Sequence, residues 1–284
     1  MKRVVNKIIY IAILVLPFIN QSCTERIDFK LDSTSTSCVI YGVITTDTTE
    51  HQVSIYKSAD YYSNKPPEAI SGAVVTISDG TTTFPLTESS TKPGNYYTAP
   101  DVYGEVGKTY TLNVSNVDLF NDGNLTSYTA SSEIKPVAKI DSIDTRYNSD
   151  YKLWMVKAWA QDPVETKDYY MFITKINGVL YADSLANLVV TEDKYYNGSY
   201  TNGITCYAFA EKDTVKIGYD VTLDICAITE DFFHFITEAQ TLINPQNPLF
   251  SGPPANARTN ISNNAFGYFA AYSISSCTRK VTRR

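Results

Sequence analysis

Short stretches in which apolar and polar residues alternate, separated by turn-forming residues, run through this chain from Cys38 onward. They constrain the fold more than any other feature. A period of two puts successive side chains on opposite faces of an extended strand, so each stretch carries one apolar face that must be covered. Cys38-Val39-Ile40-Tyr41-Gly42-Val43-Ile44-Thr45 and Gln52-Val53-Ser54-Ile55-Tyr56 read as two strands around a turn at 46–50. Lys65-Pro66-Pro67 marks a loop or edge segment, because proline cannot donate to a central ladder. Val75 and Ile77 alternate with Thr76 and Ser78 up to an Asp79-Gly80 turn, and Thr83-Phe84-Pro85-Leu86-Thr87 returns. Asn95-Tyr96-Tyr97, then 107–114, then Ser127-Tyr128-Thr129-Ala130 follow in the same style. About seven short strands at this spacing predict a β-sandwich over residues 38–134.

The sandwich segment resembles the transthyretin-like or carboxypeptidase-regulatory modules of exported proteins. The residues that carry the likeness are Gly72-Ala73-x-Val75-x-Ile77, Gly94-x-Tyr96 and Gly107-x-Thr109-Tyr110-x-Leu112-x-Val114. It implies an immunoglobulin- or transthyretin-like architecture and no activity.

Ile134-Lys135-Pro136 marks the expected boundary to a second β-rich domain, residues 135–284. There Leu153–Ala160 and Tyr169–Ile176 read as well-buried strands, and Asn177-Gly178 as a hairpin turn into Val179-Leu180-Tyr181. Residues 183–205, polar and punctuated by glycine, read as a long loop, and 215–225 alternates again. One amphipathic helix is expected over 229–243. Thr229 caps it, Glu230 and Asp231 suit its first turn, and Pro245 stops it. Phe232, Phe235, Ile236, Ala239 and Ile243 share a face suited to packing on a sheet.

The N-terminus sets the expected address. Lys2, Arg3 and Lys7 precede an apolar run from Ile8 to Ile19, and Ser22-Cys23 follows. This is the layout of a secretory signal over residues 1–22. The run is too short for a bilayer span, which needs roughly 20 residues. Cysteine at the cleavage point resembles a bacterial lipoprotein signal, with Asn20 and Ser22 where the strict pattern has Leu and Gly or Ala. The resemblance implies that Cys23 carries a diacylglyceryl group on its thiol and a further acyl chain, such as palmitate, on its amine. Two or more chains make a stable anchor. Residues 23–37 then form a lipidated polar tether, and Glu25 and Asp28 resemble the surface-export signals of Bacteroidota lipoproteins.

Composition narrows the partners. With 24 basic and 30 acidic residues, loss of Lys2, Arg3 and Lys7 leaves 21 − 30 = −9, which argues against nucleic acid and against an anionic membrane surface. Besides Cys23 there are Cys38, Cys206, Cys226 and Cys277. Four cysteines in an exported chain permit two disulfides in three connectivities. Cys206 with Cys226, close in sequence, is the pairing favoured across adjacent strands.

Neither Gly-x-Ser-x-Gly, His-Glu-x-x-His, a P-loop nor a dinucleotide fingerprint occurs, so no catalytic residues, cofactor or metal are expected. His51 falls in a polar turn and His234 on the helix. Asp118–Asn124 has the composition of a calcium loop, but Phe120 occupies its third position, and a hairpin turn fits better. Asp141, Asp144, Asp162 and Glu165 are possible carboxylate partners with no sign of which converge. Four tyrosine pairs recur, at 61–62, 96–97, 169–170 and 195–196. In a half-buried strand one ring of each faces the core and the other solvent. Tyr61, Tyr195 and Tyr200, in loops, are the candidate ligand-binding residues.

The tail carries the more specific resemblance. Helix, Asn247-Pro248-x-Phe250, Asn260-Ile261 and Ala265-Phe266-Gly267-Tyr268-Phe269, with the Ser-Cys start, resemble a Bacteroidota outer-membrane lipoprotein family catalogued as domain of unknown function 4249. The resemblance implies an outer-membrane, cell-surface protein accessory to a TonB-dependent receptor, taking a glycan, peptide or other cargo. The alternative reading is a structural or adhesive surface lipoprotein with a host or envelope partner. The family supplies no catalytic residues.

Overall fold

Turn chemistry and alternation place the strands, and a computed structural model of the chain describes residues 36–59, 65–164, 166–181, 184–209, 214–243 and 256–282. Cys23, Tyr61 and the Asn247–Phe250 motif lie outside the described residues. The first half runs β1 (Cys38–Thr45), β2 (Gln52–Lys57), β3 (Val74–Ser78), β4 (Thr83–Glu88), β5 (Asn95–Tyr97), β6 (Thr109–Asp118) and β7 (Leu125–Glu133). The second runs β8 (Ile140–Asn148), β9 (Leu153–Ala160), β10 (Tyr169–Ile176), β11 (Val179–Leu180), β12 (Val189–Glu192), β13 (Ile204–Phe209) and β14 (Asp220–Ile228). Helix α1 (Glu230–Ile243) and β15 (Phe266–Lys280) complete it. The fold is mostly β with a single α-helix among the described residues.

Strand β4 turns the N-terminal strands into a sandwich. Its first four residues pair with β3, and Thr87 and Glu88 pair with β5, so one ribbon serves two layers. Ile40, Val53, Ile55 and Tyr96 from one layer share a core with Val75, Ile77, Leu112 and Val114 from the other. Alternation follows from this: β6 buries every second residue from Tyr110 to Val114. A bulge at 115–116, with Asn116 at φ 61°, resets the register before Val117 and carries the strand to Asp118.

Strand β15 continues the sheet into the second half. Its first part lies parallel to β1, with Gly267 opposite Ile40, and its last part is antiparallel to β14, with Ser273 opposite Ala227. Twelve strands form this sheet in the order β11-β10-β14-β15-β1-β2-β5-β4-β3-β6-β7, with β12 also on β10. Thr36–Arg284 form one compact unit.

The tail motif explains itself at this seam. Gly267 has φ 100°, and a Cβ there would sit 2.0 Å from the Ile40 carbonyl oxygen, so no larger residue fits against β1. Phe269 enters the sandwich core, while Tyr268 points to the other face and donates to Asp231 of α1 at 2.8 Å. The Asn260 side chain accepts from the Phe269 N–H at 2.9 Å and donates to its carbonyl at 2.8 Å, standing in for a neighbouring strand.

In the second half the sheet is covered twice. Helix α1 packs Phe232, Phe235 and Ile236 on the face that carries Tyr169, Met171 and Cys226. Thr229 caps the helix as expected, its Oγ1 accepting from the Phe232 N–H at 3.3 Å. A separate three-stranded sheet, β13-β9-β8, packs Trp154, Val156 and Phe209 on the opposite face against Tyr170, Leu223 and Ile225.

Two expectations are corrected by this layering. Tyr169 and Tyr170 are 5% and 4% exposed, so both rings are buried, because β10 has a layer on each side. Tyr96 and Tyr97 keep the expected division into one buried and one half-buried ring. Residues 183–205 are also more than a loop: they hold a 3-10 turn (Leu185–Asn187), β12 and the start of β13. Their polar residues hid the edge strands.

Among the described residues the cysteines form no disulfide. Cys38, Cys206, Cys226 and Cys277 are free thiols. Cys38 lies in the sandwich core, Cys206 in the core under the small sheet, and Cys226 in the core under α1. Cys277 packs on the Cys206 side of the sheet, opposite to Cys226. The favoured Cys206–Cys226 pair is thus separated by the thickness of the main sheet.

Candidate functional site

A cavity of about 280 Å³ opens between β9 and β13 of the small sheet and β10, β12 and β14 of the main sheet. The sequence creates it by facing small residues against large ones. Ala158 and Ala160 on β9, with Ala138, stand across from Tyr170 and Phe172 of β10. The walls are mostly apolar, and Asp162, Thr191, Tyr196, Thr201 and Thr205 supply polar groups. Small-ligand sites have this composition, an apolar body with a few placed polar groups.

The segment after β12 helps to position these groups. Asp162, two residues past β9, accepts from the Tyr170 hydroxyl at 2.8 Å and from the Gly198 N–H at 2.9 Å. Gly198 reaches that position with φ 70°, which an L side chain rarely adopts. Thr201 caps the edge of β9 by accepting from the Ala160 N–H at 2.9 Å. Burial pushes the Asp162 carboxyl above the usual carboxylate range, against the two hydrogen bonds and aided by the charges of Asp193 and Asp168. Burial also pushes Tyr196 up to about 12, and raises Tyr170 further with help from Asp162. Both tyrosines are therefore neutral at physiological pH.

Asp162, Asp168 and Asp193 each place a carboxylate oxygen within 4.8 Å of the others. The register produces this meeting. Tyr169 of β10 lies opposite Glu192 of β12, so the next residues outward, Asp168 and Asp193, fall side by side. The Asp168 N–H donates to Asp193 Oδ2 at 2.9 Å, and the Asp193 N–H to the Asp168 carbonyl at 3.0 Å. Sequence reasoning had Asp162 as a possible partner and missed the other two. Their signal is the acid directly flanking each strand end, readable only once β12 is recognised as a strand.

Of the tyrosines expected to bind ligand, Tyr195 and Tyr200 belong to this same segment. Tyr195 is 87% exposed with Lys194 Nζ 5.5 Å from its ring centre, and Tyr200 is 48% exposed with its hydroxyl bonded to Asp141. Their neighbour Tyr196 is the ring that lines the cavity. Other candidate groups are elsewhere. His51 is buried in the sandwich, with Nε2 3.2 Å from the Val102 carbonyl. His234 lies on α1, and Asp144 pairs with Arg146. Asp118 accepts from the Asp122 and Gly123 backbone and closes the β6–β7 hairpin.

Comparison with known proteins gives a family. The family model described as Domain of unknown function (DUF4249) matches residues 24–278. No curated protein matches the chain. A solved structure described as "Structural insight into host cell surface retention of a 1.5-MDa bacterial ice-binding adhesin" is similar at 10% identity and a TM-score of 0.25. The alignment covers 88% of this chain and 65% of that one, and a score this low supports no shared architecture.

Proposed function

This chain belongs to the DUF4249 family, and we propose that it is a non-enzymatic outer-membrane lipoprotein that serves a TonB-dependent uptake system by holding cargo. The cavity under the small sheet carries this reading. It suits a small cargo with an apolar body and a hydrogen-bonding group, since alanine, aliphatic and aromatic side chains line most of it and Asp162 and Tyr196 are among its polar residues. The exposed ring of Tyr195 beside it offers a first contact to such a cargo or to the receptor. Anchoring rests on the basic start, short apolar run and Ser22-Cys23 of the N-terminus. Among the described residues no helix is long and apolar enough to cross a membrane, which fits attachment through acyl chains at Cys23.

A mild-detergent pull-down of the tagged full chain from its own outer membrane tests the reading, with Cys23→Ala as control. Co-purification of a large β-barrel receptor, lost in the control, is the expected result. Recovery of the chain alone from the membrane would overturn the complex. Ala158→Leu, which fills the cavity, should keep the receptor and abolish uptake of the cargo.

A further inference from the structure

We propose that Asp162, Asp168 and Asp193 form a binding site for one hard divalent cation of the Ca2+ class. The site pins the tyrosine-bearing segment after β12 to the end of β9. The proposal shares Asp162 with the cargo reading but does not rest on it.

Three observations meet here. First, the donor set is all oxygen, from three chain segments that converge within 4.8 Å. Oxygens held about 2.4 Å from one Ca2+ lie at most about 4.8 Å apart, so three oxygens that all fall within that distance of one another can share a single ion. Carboxylate-only donors suit Ca2+, Mg2+ or Mn2+ rather than zinc or copper.

Second, Asp193 is 1% exposed, and its Oδ1 is buried with no hydrogen-bond partner. A buried carboxylate oxygen left unsatisfied costs the full desolvation of that group, and native folds leave few of them. Its Oδ2 is occupied by the Asp168 N–H, so the orphan is the oxygen left over for a ligand.

Third, the charge is uncompensated. The nearest basic side chains in sequence are turned to other partners, Lys167 to Glu230 and Lys194 to the Tyr195 ring. Among the described residues no lysine or arginine pairs with any of the three aspartates. Buried carboxylates this close repel unless an ion or protons neutralise them. Asp162 also lines the cavity.

The cation would act as a clamp. It would join Asp162, two residues past β9, with the residue before β10 and the residue after β12, and so hold the segment that carries Tyr195, Tyr196 and Tyr200. Larger, flexible Ca2+ tolerates such a protein-only cradle better than Mg2+, which demands near-octahedral geometry and keeps its waters.

The test uses the full chain in mild detergent, stripped with EGTA and titrated with CaCl2 by calorimetry at neutral pH. One Ca2+ per chain is expected, with an unfolding midpoint raised by about 5 °C at about a hundredfold excess over Kd. Asp193→Asn and Asp168→Asn each weaken binding at least about tenfold, while Asp118→Asn in the β6–β7 turn leaves it unchanged. Hydrogen exchange over 193–203 slows on adding Ca2+ in the native chain and not in the two variants. Absence of uptake by the stripped chain would overturn the proposal. So would uptake that both variants retain, or a midpoint raised by the variants and indifferent to Ca2+, the mark of aspartates that only share protons. Should Asp193→Asn fail to fold, Asp168→Asn decides, since Asp168 is only half-buried.

Discussion

The two tyrosine pairs Tyr96–Tyr97 and Tyr169–Tyr170 show how differently the halves of this molecule use the same residues. In the sandwich, β5 has one covered face, so Tyr96 is buried and Tyr97 is half-buried. In the second half β10 lies between α1 and the small sheet, and both tyrosines are buried. Alternation reports burial only where a strand has a wet side; a strand covered on both faces is apolar throughout. The doubly covered half also holds the cavity beside Tyr170 and the three aspartates.

The sharpest way to break the contrast is at the strand both halves share. Gly267→Ala puts a Cβ 2.0 Å from the Ile40 carbonyl oxygen. It should cost about 4 kcal/mol or more, or prevent folding, read by thermal or urea denaturation. A variant with native stability would show that β1 and β15 do not need their close approach.

Core truncation asks whether the halves unfold together. Phe209→Ala under the small sheet, at 0% exposure, should cost about 3–5 kcal/mol. Leu112→Ala in the sandwich, at 1% exposure, should cost about 2–5 kcal/mol. Both should move one cooperative calorimetric transition, since β15 gives Phe269 to the sandwich core and Cys277 to the core under the small sheet. Two transitions, each shifted by one variant, would make the halves independent.

A smaller effect is expected at Asn260, which lies beside the seam. Asn260→Ala leaves the Phe269 N–H and carbonyl without their partner and should cost about 1–3 kcal/mol. Asn260→Asp, which keeps the acceptor, should recover part of this in the same denaturation series.

The least effect is a pH dependence that belongs to the sandwich alone. Burial lowers the His51 pKa below its ordinary 6.5, against the hydrogen bond to Val102. A depressed folded value means the unfolded chain takes the proton first, so stability is full above pH 6.5 and falls as pH drops through it. His51→Gln should flatten the stability profile below that pH. An unchanged slope would place the acid sensitivity elsewhere.

Much of this fold was legible in the residues. The expected strands at Cys38–Thr45, Leu153–Ala160 and Tyr169–Ile176 have those bounds, and the helix begins after Thr229 as its cap predicts. Asp79-Gly80 and Asn177-Gly178 turn the chain where their chemistry says they should. Of the candidate site, Tyr195 and Tyr200 were visible and Asp168 and Asp193 were not. The favoured disulfide was misjudged because closeness along the chain says nothing about which face of a sheet a cysteine takes.

Local steric and hydrogen-bonding rules act within a few residues, so the sequence alone determined most strand segments, though not β12 or the start of β13, together with the named turns, the capped helix and the family membership. Tertiary structure decided that the last strand lies parallel to the first, that a second small sheet covers the main one, and that three aspartates from separate segments meet. Each of those follows from which faces must be buried together, a condition set across the whole chain and written in no single window of it.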